Sequence, residues 1–103
     1  MADDAAVELD RVVERLRTMP LARLAAGWPP HASRAIAARD IAQRLADLGA
    51  DAGGWPRRVV LDAGDAAVGD QVAVTGRDLL ALDPPAPVRA EMAALLREVR
   101  LNL

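Results

Sequence analysis

The sequence predicts an all-α fold: a small four-helix bundle or orthogonal helical array, with one long loop between the second and third main helices. Three observations carry this. Apolar residues make up 52% of the 103 positions, yet the only aromatics are Trp28 and Trp55, so alanine and aliphatic side chains must build the core. Alanine has the best helix propensity, and helices approach closely over it. Four stretches repeat their apolar residues at helical spacing, and proline and glycine fall between them.

The first helix is expected over about residues 3–19. Leu9, Val12, Val13, Leu16 and Met19 form its stripe, while Glu8, Arg11, Glu14 and Arg17 are spaced to pair on the solvent side. Pro20 cannot donate an interior helical hydrogen bond and ends it, leaving a short helical turn over about 21–26. A second main helix is expected over about 30–48. Pro29 and Pro30 suit its first turn and Gly49 its C-terminal glycine. Ala37, Ala38, Ile41, Leu45 and Leu48 make its stripe. Arg34 falls inside that stripe and Ile36 outside it, which raises the prospect of a helix that buries surface on two sides.

Residues 49–64 read as the long connector. Beyond it, 65–82 admits two readings. As a helix, Val68, Val72, Thr75, Leu79 and Leu82 align, Asp65 stands at the N-cap, and Gly69 and Gly76 form a seam that lets another helix come close. As strands, Val59-Val60-Leu61 and Val72-Ala73-Val74 would flank a turn. The unbroken stripe and the weakness of a lone hairpin favour the helix. A stiff Asp83–Pro87 linker then leads into the last helix, about 87–101, with Val88, Met92, Leu95, Leu96 and Val99 inward and Arg89, Arg97 and Arg100 toward water. The whole chain, 1–103, is expected to form one helical domain.

The net charge of −2 and a pI of about 5.3 argue against nucleic acid as a partner. Cysteine is absent, so no disulfide, thiolate nucleophile or cysteine metal site is expected. With no basic leader and no long apolar run, neither a secretory signal nor a membrane span is expected, and a cytoplasmic location is the default.

Chemistry-bearing residues are few. The hydroxyls are Thr18, Ser33 and Thr75, and the only histidine is His31, expected as a solvent-facing residue at a helix start. His31 and Ser33, two apart in a first helical turn, diverge and make a poor nucleophile–base pair. Asp62, Asp65 and Asp70 do not match a calcium loop, and the glycines fit no phosphate loop. No catalytic residue, cofactor or metal is therefore expected, and the chain is not expected to be an enzyme.

Two features suit binding. Trp28 and Trp55 each precede a proline, which holds them extended in loops. Each either covers an end of the core or anchors an interface, where tryptophan and arginine are enriched. Trp55 has the stronger claim because Arg57 and Arg58 follow it. The expected partner-binding residues are Trp55, Arg57, Arg58, Trp28 and Ile36. The expected function is a non-catalytic helical protein–protein interaction or oligomerisation module, a homodimer. The alternative is a helical DNA-binding regulator, which the acidic balance disfavours.

Overall fold

The computed structural model describes residues 4–103; the expected helix start at residue 3 lies outside them. Among the described residues the order is α1 (Asp4–Thr18), α2 (Leu21–Ala25), α3 (Arg34–Gly53), a 3₁₀ turn (Asp65–Ala67), α4 (Val68–Ala81) and α5 (Ala86–Asn102). No strand forms among them. Val72–Val74 lies within α4, and Val59–Leu61 pairs with no strand, so the hairpin reading of these two runs is set aside. Among the described residues no helix is long and apolar enough to cross a membrane.

The four long helices make a bundle. α1 packs against α4 and α5, α3 packs against α4 and more loosely against α5, and α1 and α3 stand diagonally opposed. Leu9, Val12, Leu45, Val72, Leu79 and Leu96 are among the side chains at its centre, each with almost no exposed surface. α2 lies against α3 and contributes Leu24 to the same core.

Several boundaries differ from the sequence expectation. α3 starts at Arg34, because Ser33 caps it: its hydroxyl accepts from the Ile36 N–H at 3.1 Å. Pro29 and Pro30 lie in a preceding turn, closed by His31 N–H donating to the Trp28 carbonyl at 2.7 Å. The helix also runs through Gly49 and ends at Gly53, with Gly54 taking the left-handed conformation, φ 76°. The connector is therefore shortened at its start, to Gly54–Gly64. Asp65 opens the 3₁₀ turn and makes no side-chain cap. Leu82 follows the end of α4 and is 38% exposed, so it leaves the stripe.

The glycine seam of α4 is present and faces α1. A Cβ on Gly76 would stand 2.5 Å from Leu9 Cδ1, and one on Gly69 3.1 Å from Arg17 Cγ. Leu9 is one of the most buried residues, so it has nowhere to retreat. Arg17 closes the same seam at the surface, donating to Asp70 at 2.8 and 3.0 Å.

Glu8 does not stand on a solvent face. It is 4% exposed and accepts from Arg100 at 2.6 and 3.1 Å and from Arg97 at 3.3 Å, with Arg11 at 3.9 Å. Arg97 and Arg100 thus turn toward α1, not simply toward water. The Arg100 guanidinium hydrogen bond is the largest cause holding the Glu8 carboxyl below its ordinary pKa; burial opposes it and Arg97 adds to it. At the same end of α5, Arg15 and Arg23 donate to the Leu103 carbonyl at 3.2 and 2.9 Å.

Three outcomes follow. Gly76→Leu is expected to lower stability by about 1–3 kcal/mol through overpacking, although leucine is the better helix former. Gly49→Ala, whose Cβ would meet nothing within 4 Å, is expected to raise it by about 0.5–1 kcal/mol. Chemical denaturation of both variants checks the pair. For Glu8 the lowered pKa means that its contribution is present above the unfolded carboxyl's pKa of about 4.3 and is lost as the pH falls through the folded value. Glu8→Gln is expected to be less stable than wild type near pH 7, with the gap narrowing toward about pH 3 in urea titrations.

Candidate functional surface

The connector is built from its first residues. Gly54 reverses the chain, and the Trp55 N–H donates back to the Ala50 carbonyl at 3.0 Å. The Trp55 indole folds over Gly53, where any side chain would collide with the ring. Pro56 restricts the Trp55 backbone, where the chain bends away from α3. Arg57 then clips the chain to the end of α3, donating to both oxygens of Asp51 at 2.7 and 3.0 Å. That hydrogen bond is the main cause holding the Asp51 carboxyl below its usual value.

Beyond Arg57 the backbone runs to residue 63 with no helix, turn or bend and no neighbouring strand. Two glutamine side chains hold it. Gln43 of α3 donates from Nε2 to the Arg58 carbonyl at 2.9 Å and accepts the Val60 N–H at Oε1, 2.7 Å. Gln71 of α4 donates to the Leu61 carbonyl at 2.6 Å. A side-chain amide has one donor group and one acceptor, so Gln43 mimics the pairing of one residue in an adjacent strand. Arg39 adds an ion pair to Asp62 at 3.1 Å and approaches Asp65 at 3.9 Å.

This bracing sorts the side chains. Val60 packs inward against the core. Val59 and Leu61, on the alternate face, are 79% and 77% exposed. Beside the start of the connector, a cleft of about 390 Å³ opens between α3 and α4. Leu45 and Leu79 form its floor, Gly49 and Ala50 one wall, Leu82 and Trp55 its lip, with Arg58 and Asp78 also bordering it. The lining suits an apolar side chain, and its few polar groups form no acid–base pair.

Of the residues singled out from sequence, Trp55, Arg57 and Arg58 come together here, with Trp55 about half exposed. Trp28 is elsewhere. It is half-buried against the core at a second cavity, about 460 Å³, between α3 and α5. His31 faces it across 5.6 Å and precedes α3 instead of starting it. Ile36 is 44% exposed near the start of α3. The Ser33 hydroxyl is occupied as the α3 cap, and Asp62 and Asp70 are held by Arg39 and Arg17. Among the described residues no three histidine, cysteine, aspartate or glutamate side chains gather in a way that could hold a metal ion.

Sequence reasoning missed Gln43, Gln71, Val59 and Leu61. A signal existed: they are the chain's only glutamines, and Val59-Val60-Leu61 is its most strand-like run. Comparison with protein-family models, with curated proteins and with solved structures finds no match.

Gln43→Ala is expected to release the connector while leaving the bundle folded. It should cost about 1–2 kcal/mol for the two bonds lost to the connector, with a smaller loss for the bond to Asp47, and speed hydrogen exchange at the Val60 amide. Unchanged exchange there would show that the bracing does not order the segment.

Proposed function

We propose that this chain is a small non-catalytic helical protein–protein interaction module that acts as a homodimer. The supporting observation is the group of large apolar side chains on and beside the connector. Trp55 and Leu82, 49% and 38% exposed, border an apolar cleft, and Val59 and Leu61, 79% and 77% exposed, lie on the connector that runs on from it. Isolated exposed apolar residues are ordinary, but a braced segment that turns two of them outward beside a cleft is the arrangement of a contact surface. A second copy is the partner its charges favour. The connector carries Arg58 at one end and, at the other, Asp62, which stays 69% exposed beside Arg39, so a two-fold axis brings opposite signs together.

The arginines support a protein partner over a nucleic acid. Arg17, Arg39, Arg57, Arg97 and Arg100 all face carboxylates of their own chain, which weakens any cationic stripe. An enzymatic role finds little support in a histidine stacked near Trp28 and a serine spent on a helix cap.

Because Trp55 is half exposed, Trp55→Ala should stay folded when dilute. Wild-type melting temperature is expected to rise with concentration over a hundredfold range, and the variant's to stay constant, with sedimentation showing monomer. A variant that melts far lower yet sediments as wild type would refute the interface role.

A further inference from the structure

The geometry points to residues 58–62 as an edge strand that pairs antiparallel with the same segment of a second copy, forming a two-stranded ribbon centred on Val60. This rests on the reading of the chain as a self-associating module and specifies its contact. Two observations carry it: which backbone edge is already occupied, and the order of charges along the segment.

In an extended chain, the N–H and C=O of alternate residues point to opposite edges. Gln43 occupies the edge that carries the Arg58 carbonyl and the Val60 N–H. The other edge carries the groups of Val59 and Leu61. There the Leu61 carbonyl accepts one bond from Gln71 and keeps a second lone pair. Among the described residues the N–H groups of Val59 and Leu61 and the Val59 carbonyl have no hydrogen-bond partner. Gln43 thus holds one edge, while the other is touched by Gln71 at the Leu61 carbonyl alone and keeps its remaining groups for an added strand.

The sequence Arg58-Val59-Val60-Leu61-Asp62 then sets the register. With Val60 opposite Val60 of the second copy, Arg58 falls opposite Asp62, and Asp62 opposite Arg58; the Asp62 carboxylate meets Arg39 and the Gly64 N–H through Oδ1 and is 69% exposed, which leaves Oδ2 for the second copy's arginine. Val59 and Leu61 exchange backbone hydrogen bonds with Leu61 and Val59 across the axis, and their exposed side chains form cross-strand apolar pairs. A shift that places Val59 opposite itself puts Arg58 opposite Val60 and loses both charge pairs. Pro56 and the Arg57–Asp51 clip end the pairing on one side, and Gly64 ends it on the other.

The register is read by single cysteines, since the chain has none of its own. Facing residues of a non-hydrogen-bonded pair have Cα atoms about 4.5 Å apart, within disulfide reach. Val60→Cys is therefore expected to cross-link into a dimer on oxidation, several-fold faster than Val59→Cys, whose two copies lie two residues out of register. Random collision predicts the reverse order, because Val59 is far more exposed than Val60. Val59→Pro removes a donor that makes no bond within the monomer and should abolish wild-type dimerisation in sedimentation with an unchanged helical spectrum. Arg58→Asp, acting twice across the axis, should weaken the dimer roughly tenfold or more. If wild type dimerises while Val59→Pro dimerises equally well or Val59→Cys cross-links faster, the ribbon is overturned and the module reading stands. A wild type monomeric at every concentration overturns both.

Discussion

The close approach of α4 to α1, with Leu9 lying over Gly76, is the contact on which the rest of the bundle depends. A core without phenylalanine or tyrosine fills space with leucine, valine and alanine, so helix axes must come near one another wherever a leucine is to be fully enclosed. A glycine in the middle of α4 costs about 1 kcal/mol in helix propensity. The enclosure of Leu9 offsets that. It also fixes the rotation of α4, which presents Val72 and Leu79 inward and leaves Val74 outward.

Glu8, the neighbour of Leu9, ties α1 to α5 by a different means. One residue turns toward α4 through packing and the next toward α5 through a carboxylate shared by Arg97 and Arg100. The arginines keep partial access to water, so the ion pair is only one-sidedly desolvated, and its geometry carries direction as much as energy. α3 packs little against α1. It is held through α4 and, more loosely, through α5, and this leaves the clefts on both of its flanks.

Much of this was legible because helix periodicity is a local property. The stripes of Leu9–Leu16, Val68–Leu79 and Met92–Val99 and the seam at Gly69 and Gly76 needed only spacing. What was not legible depended on distant partners or on competition between similar signals. Glu8 reads as half of a surface pair with Arg11 until α5 folds against it from the other end of the chain. Pro29-Pro30 resembles a helix start as well as Ser33 does, and only the hydroxyl bond to the Ile36 N–H decides between them. Gly49 and Gly54 both resemble a C-terminal glycine. The first lies within α3 on the cleft wall, where the space around it does not require glycine, and the second takes the positive φ that favours glycine. At the candidate surface, the prominence of Trp55, Arg57 and Arg58 could be read directly. The role of Gln43 could not, since nothing in its own neighbourhood shows that a backbone will lie beside it.

The connector joins the end of α3 to the start of α4 and needs no more than reach and solubility to do so. A polar, glycine-rich coil would serve with less order. Here the chain instead spends the side chains of Gln43, Gln71, Arg39 and Asp51 on holding an extended backbone, and it places valine and leucine on the face turned away from the core. Fixing a backbone residue costs about 1–2 kcal/mol of conformational entropy, and an outward valine returns little of that to the monomer. Pro56, Arg57 and Asp62 beside the run are the kinds of residue that limit uncontrolled growth of an exposed edge. Bracing at one edge, apolar side chains on the outer face and blocking residues at both ends are together consistent with an edge kept in one conformation for a single, defined pairing.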